Sequence, residues 1–226
     1  GFLTRGETGK AIRAYSAILA GGGDELRELE AKRALDDLFR GGWKTAFAGS
    51  GEYVVQAGDS LWKISKRLGT TPGFLKFVNG KSNDTLKTGE HLVVVKGDFV
   101  VRVWKDTHIL RLFVDDVFVR EYVVGLGAGG CTPVGEFRIA TRQEKPAWYY
   151  EGKVYPYGDP KNILGTRWMG FENKPGVTGY GIHGTAFPDS VGKDESSGCV
   201  RMYNHQVEEL FDMVPIGARV VIRATR

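Results

Sequence analysis

Residues 181–204 read GIHGTAFPDSVGKDESSGCVRMYN. A short strand pattern, Gly179 to His183, ends on an imidazole. A loop carrying Pro188 and Gly192 comes next, long enough to return on itself, and a Ser196-Ser197-Gly198 turn delivers Cys199 sixteen positions after His183. Cysteine attacks as thiolate. With an ordinary pKa near 8.5 it needs a neighbouring base or positive charge at neutral pH. A histidine can take that proton and later hand one to a leaving amine. Gly198 lets backbone approach a substrate closely. If the turn exposes them, the amides of Gly198 and Cys199 meet a developing oxyanion, an effect of about 2.7–4 kcal/mol per donor. Taken singly these residues are ordinary: a small buried hydrophobe, a satisfied polar ring, a surface charge at Arg201, a helix cap at Asn204. Their assembly points to a nucleophile and its base.

The surrounding 98–226 has the texture of strands. Phe99–Trp104, Ile109–Val114 and Val117–Val124 are rich in β-branched and aromatic residues, with Asp115-Asp116 placed for a hairpin turn. Glu136–Thr141 and Arg219–Ile222 read as further strands. One late helix is expected, since Val207, Leu210, Phe211 and Val214 fall at i, i+3, i+4 and i+7, with Asn204 as its cap and Pro215-Ile216-Gly217 as its stop. Many strands and a single helix predict a mainly β sandwich or barrel-like domain.

Ahead of it lies a compact strand–helix–helix–strand unit, within 49–97. Tyr53-Val54-Val55 opens it, and Asp59 or Ser60 caps a helix carrying Leu61, Ile64 and Leu68. A second helix holds Phe74, Leu75 and Val78, and Leu92–Val95 closes the unit. Residues 1–48 read as two helices and a linker. Ile12, Tyr15, Ile18 and Leu19 form one stripe, and Leu26, Leu29, Leu35, Leu38 and Phe39 another. Gly21-Gly22-Gly23 and Gly41-Gly42 are the breaks, and Ala46–Gly51 the flexible connection. Such a helical pair is either the tail of a repeat array or a cap docked on the neighbouring unit.

Composition narrows the classes. In 226 residues, 42% are hydrophobic and 26% charged, an ordinary globular balance. A net charge of +4 is too small to predict nucleic-acid binding, and no apolar run reaches a membrane span's length. The chain opens on Gly1 with no charged-then-apolar leader, as expected of a processed or trimmed form. Two cysteines, Cys131 and Cys199, make no disulfide scaffold. The glycine-rich run 125–130 has no helix pattern after it and is no dinucleotide loop. Cys199, His183 and His205 lack carboxylates at metal spacing, so neither metal nor other cofactor is expected.

His183 followed by Ser196-x-Gly198-Cys199-x-Arg201-x-x-Asn204 resembles the signature of the YkuD-type L,D-transpeptidases. Thr132-Pro133-x-Gly135-x-Phe137 and Asn162-x-Leu164-Gly165-x-x-Trp168 agree with it upstream. Ser197 departs from many members, which carry His there. The resemblance implies that Cys199 attacks the carbonyl of the diamino acid at position three of a peptidoglycan stem peptide and expels the terminal D-alanine. An amine of a neighbouring stem then resolves the thioester into a 3→3 cross-link. It implies His183 as base and then acid, held by a backbone carbonyl, and Arg201 orienting the loop or a substrate carboxylate. Ser196 and Asn204 shape the loop, while Trp168, Tyr180 and Thr185, beside Gly184 and Ser197, wall the substrate groove. An L,D-carboxypeptidase using the same pair, or an inert wall-binding protein, are the alternatives. Cys131 is either a loop thiol without a role or the partner of a reversible bridge to Cys199.

Tyr53-Val54-Val55, Gly58-Asp59-Ser60-Leu61, Ile64, Asn79, Gly89, Leu92 and Val94 resemble a LysM module, with Thr88 where proline is usual. That implies binding of N-acetylglucosamine-containing glycan through the loops after Tyr53 and near Asn79. Such substrates place the protein outside the cytoplasmic membrane, in periplasm or cell wall.

Overall fold

A computed structural model of the chain describes residues 5–21, 24–39, 46–47 and 50–226. The chain divides into two compact units. One takes the residues up to Phe99 with 113–119 and 212–214; the other takes 100–112, 120–211 and 215–226.

The first unit begins with helices α1 (Arg5–Gly21) and α2 (Glu25–Phe39). Ile12 and Leu19 are buried on α1 as the spacing requires. On α2 the expected stripe is wrong at its start. Leu26 and Leu29 are 66% and 45% exposed, while Glu28, Ala31 and Leu35 are buried. Those three recur at i, i+3 and i+7, and the two leucines lie about 100–200° round the helix from Glu28. Gly22-Gly23 and Gly41-Gly42 lie outside the described residues. So do 48–49 of the expected linker, whose Ser50 and Gly51 belong to a strand and whose Ala46 and Phe47 are buried.

That strand, β1 (Ser50–Val54), precedes α3 (Leu61–Leu68), α4 (Pro72–Val78) and β2 (His91–Val95). β1 and β2 pair antiparallel from Ser50↔Val95 to Val54↔His91. Ser60 is the N-cap of α3, accepting from Lys63 N, and Gly69 ends that helix left-handed at φ +68°. Thr71 caps α4, with Pro72 in the first turn. Val55, Leu61, Ile64, Leu75, Leu92 and Val94 form the small core. Asn79 spends its amide inside: Nδ2 donates to Leu75 O and Val93 O, and Oδ1 accepts from Val93 N.

The mainly β remainder runs β3 (Phe99–Trp104), β4 (Ile109–Val114), β5 (Val117–Val123), β6 (Leu126–Gly127), β7 (Gly135–Glu144), β8 (Trp148–Tyr150), β9 (Lys153–Tyr155), β10 (Arg167–Phe171), β11 (Gly181–His183), β12 (Asp194–Ser196), β13 (Val200–Arg201), α5 (Asn204–Met213) and β14 (Arg219–Arg223). An eight-stranded sheet has the order β13-β11-β10-β7-β14-β3-β4-β5, and β8 with β9 forms a separate hairpin. Asp115 and Asp116 both take positive φ, as the tight β4–β5 turn demands. Val101, Val103, Leu110, Leu112, Val220 and Ile222 fill the core, with Val207, Leu210 and Phe211 of α5 also buried. Asn204 is the first residue of α5, where the sequence reading set it before the helix.

Candidate active site

Sheet register assembles the site. Trp168 on β10 pairs with Gln143 on β7 and with His183 on β11, and His183 pairs with Arg201 on β13. Gln143, Trp168, His183 and Arg201 therefore form one row across four strands, on one face. Two residues along, the next row holds Thr141, Gly170 and Gly181. Cys199 stands in the bend immediately before β13. The two glycines are obligatory. A Cβ on Gly170 would meet Trp168 Nε1 at 2.7 Å, and one on Gly181 would meet Cη2 and Cζ2 at 2.9 Å. Trp168 lies over that bare backbone with its ring 5.8 Å from the His183 ring. A cavity of about 460 Å³ opens on this face, lined by Trp168, Tyr180, His183, Ser197, Cys199 and Arg201 among others.

Ser196 ties the turn that presents the cysteine. Its Oγ donates to Cys199 O (2.7 Å) and accepts from Gly198 N (3.0 Å). Gly198 has φ +118°, and its Cα faces the Tyr180 ring so closely that a Cβ would sit 2.4 Å from Cε1. The Gly198 amide is therefore engaged by Ser196 and is not free for an oxyanion, contrary to expectation. Ser197 is exposed at the cavity.

Asn204 clamps two loops. Oδ1 accepts from Thr166 N (3.2 Å) and Thr185 N (3.1 Å), and Nδ2 donates to Thr185 O (3.1 Å). It can do so because Gly165 and Gly184 leave room: a Cβ on either would fall 2.2–2.3 Å from Oδ1. Gly184 O in turn accepts from His183 Nδ1 (2.5 Å). That bond leaves Nε2 as the unprotonated ring nitrogen. Thr185 does not wall the groove. It is buried, and its Oγ1 bonds to the Phe187 backbone. The sequence reading missed the lining from Gln143, Leu164 and the Trp148-Tyr149-Tyr150 run, whose three adjacent aromatics were the available signal.

The L,D-transpeptidase catalytic domain, YkuD, matches residues 98–222, more than half of the chain. The chain belongs to the YkuD L,D-transpeptidase family. A LysM domain matches residues 53–95. YqjB of Bacillus subtilis, named among the L,D-transpeptidases, is 44% identical over 129 residues, covering 56% of this chain and 72% of its own. YkuD of Bacillus licheniformis, similarly named, is 32% identical over 178 residues, covering 75% and 97%. A solved L,D-transpeptidase from Mycobacterium smegmatis aligns at 19% identity and a TM-score of 0.48, over 60% of this chain and 64% of that one. The chain thus spans less than two thirds of that solved protein.

Within the L,D-transpeptidase domain, charge is scarce around the sulfur. His183 is 2% exposed, and burial lowers its pKa to about 4; the Arg201 charge acts the same way, while the carbonyls of Gly184 and Leu164 oppose it. Burial pushes the Cys199 thiol up to about 11, against the Gly181 backbone and the Arg201 charge, which lower it. The resting pair is therefore neutral thiol and neutral imidazole. Cys199 Sγ bonds to Gly179 O (3.8 Å). Cys131 is exposed, with its Sγ bonded to Ser196 O (3.8 Å) behind the same turn. Among the described residues no three His, Cys, Asp or Glu side chains cluster as metal ligands. No described helix is long and apolar enough to cross a membrane.

Proposed function

We propose that the protein is a cysteine acyltransferase of peptidoglycan. In this reading Cys199 attacks the carbonyl of the third stem residue, D-alanine leaves, and an amine of a neighbouring stem takes the acyl group to form a 3→3 cross-link. The supporting observation is that His183 and Cys199 line one cavity. His183 Nε2, unprotonated because Nδ1–H is held by Gly184 O, takes the thiol proton as the S–C bond forms. The same proton then passes to the departing amine, so the pair ends the acylation neutral, as it began. The Cys199 amide is the remaining backbone donor of the turn for the oxyanion. Ser196 holds the turn, Asn204 holds the loop behind His183, and Trp168 and Tyr180 wall the substrate. The LysM module tethers the enzyme to N-acetylglucosamine-containing glycan, and the site of action is extracytoplasmic. Incubation with tetrapeptide-bearing muropeptides tests this reading: dimers should appear with D-alanine release and vanish in Cys199→Ala. Tripeptide monomers without dimers would instead make the protein an L,D-carboxypeptidase, and no product at all would leave a wall-binding protein.

A further inference from the structure

The turn that presents Cys199 rests on a second loop, and a cation from outside that loop holds it. Residues 127–132 read GAGGCT, with Gly129 and Gly130 at φ +60° and +75°. Gly127-Ala128-Gly129-Gly130 leaves this backbone few restraints of its own. β6 pairs with β12 at Gly127↔Ser196, and Gly127 N donates to Thr132 Oγ1 (2.7 Å), closing the loop on itself. Its inner side packs on the nucleophile turn. A Cβ on Gly127 would fall 2.8 Å from Gly198 Cα, and one on Gly198 would fall 3.2 Å from Cys131 O. Lys105, half-buried and next in sequence after β3, reaches this loop from outside. Its Nζ donates to Gly130 O (2.6 Å) and Thr132 O (2.7 Å), the two carbonyls that flank Cys131. An ammonium has three donors and no acceptor, so it serves both converging carbonyls at once, and its charge strengthens each bond.

We propose that Lys105 is a positioning residue for the nucleophile. By pinning residues 130 and 132 it fixes the backbone of 198–199, and with it the aim of the Cys199 sulfur and amide. This rests on the reading of Cys199 as the acylated nucleophile. Lys105 lies outside the cavity lining and acts only through the loop. Because Gly198 N is spent on Ser196 Oγ, the Cys199 amide is the turn's donor for the oxyanion, and the Gly198 backbone sets its direction. The turn is gripped between this loop and the Tyr180 ring, so a loop released from Lys105 leaves it supported on one side only. Misplacement of a reacting group by about 1 Å costs on the order of 100-fold in rate. Chemistry that needs an aligned carbonyl and an oxyanion donor therefore depends on Lys105, whereas chemistry that needs only a sulfur nucleophile does not.

Two reagents separate these demands without a muropeptide. In a full-length Cys131→Ser background Cys199 is the sole thiol. p-Nitrophenyl acetate acylates it through an oxyanion: the S–C bond forms, nitrophenolate departs and the thiol proton ends in solution. Iodoacetamide alkylates it by direct displacement of iodide, with no oxyanion. The acylation rate divided by the alkylation rate cancels any change in thiolate population. Lys105→Met should lower that ratio about tenfold, and Lys105→Arg, whose fork can serve both carbonyls, should keep it within about twofold of wild type. A merely structural role would lower Tm or scale both rates together, so a ratio that Lys105→Met leaves unchanged overturns the proposal. Should that variant fail to fold, Lys105→Gln decides: it can still serve one carbonyl, so an intermediate ratio is expected, and a wild-type ratio overturns the assignment. A wild-type ratio no higher than that of mercaptoethanol would refute the nucleophile reading itself, and Lys105's role with it. Acylation without dimers from muropeptides would refute transfer alone, while the ratio still reported on Lys105.

Discussion

Iodoacetamide carries no charge, so its rate of reaction with Cys199 tracks the thiolate population. The thiol is pushed up to about 11 by burial. At pH 7 roughly one molecule in 10⁴ then carries thiolate, against about 3% for an ordinary cysteine near 8.5, a suppression of about 300-fold. A more basic thiolate is intrinsically more nucleophilic, with a Brønsted slope of about 0.4–0.5, which returns about tenfold. The net expectation is alkylation about 20–30 times slower than that of a free cysteine, with the rate climbing tenfold per pH unit from 7 to about 10. The assay is loss of free thiol in a Cys131→Ser background, tracked by intact mass across that pH range. A plateau below about pH 8, at rates matching or exceeding a free thiol, would refute the reasoning. It would mean that the resting site is a thiolate–imidazolium pair and that burial does not dominate the sulfur.

The same geometry carries further expectations. As pH falls, the unfolded chain protonates His183 near 6.5 before the folded chain does near 4. The stability that comes from keeping this ring neutral is whole above about pH 6.5 and is lost between there and about pH 4, a difference of about 3 kcal/mol that urea midpoints of wild type and His183→Gln should reveal as a steeper acid loss in wild type. Ser196→Ala deprives both Gly198 N and Cys199 O of their partner and should cost about 1–3 kcal/mol, read as a lower Tm together with loss of transfer. Ser197→Ala, at an exposed position, should stay within about 0.5 kcal/mol and keep transfer; equal losses in the two variants would refute this division.

The legible part of the sequence was local. The β3, β4 and β5 strands show themselves through runs of β-branched and aromatic residues, and α5 through its 3.6-residue stripe. Trp148–Tyr155 and Arg167–Phe171 did not, because short strands beside Pro146, Gly152 and Gly170 give too few alternations to register. The α2 stripe holds at Leu35 and fails at Leu26 and Leu29, because helical spacing admits more than one apolar face and packing chose the one with Glu28, Ala31 and Leu35. At the site, the nucleophile and base were legible as residue types. Their placement depends on the pairing of β10, β11 and β13, a non-local arrangement that spacing cannot report. The same holds for Asn204. As a polar residue ahead of an amphipathic run it reads as a cap, whereas its side chain is committed to Thr166 and Thr185 in loops distant in sequence.

The neutral resting state of Cys199 bears on the enzyme's durability as well as its rate. Peroxide climbs the sulfenic and sulfinic ladder from the thiolate, so a sulfur kept protonated ages slowly in aerobic surroundings. Cys131, exposed beside the turn, is the thiol that oxidants should reach first.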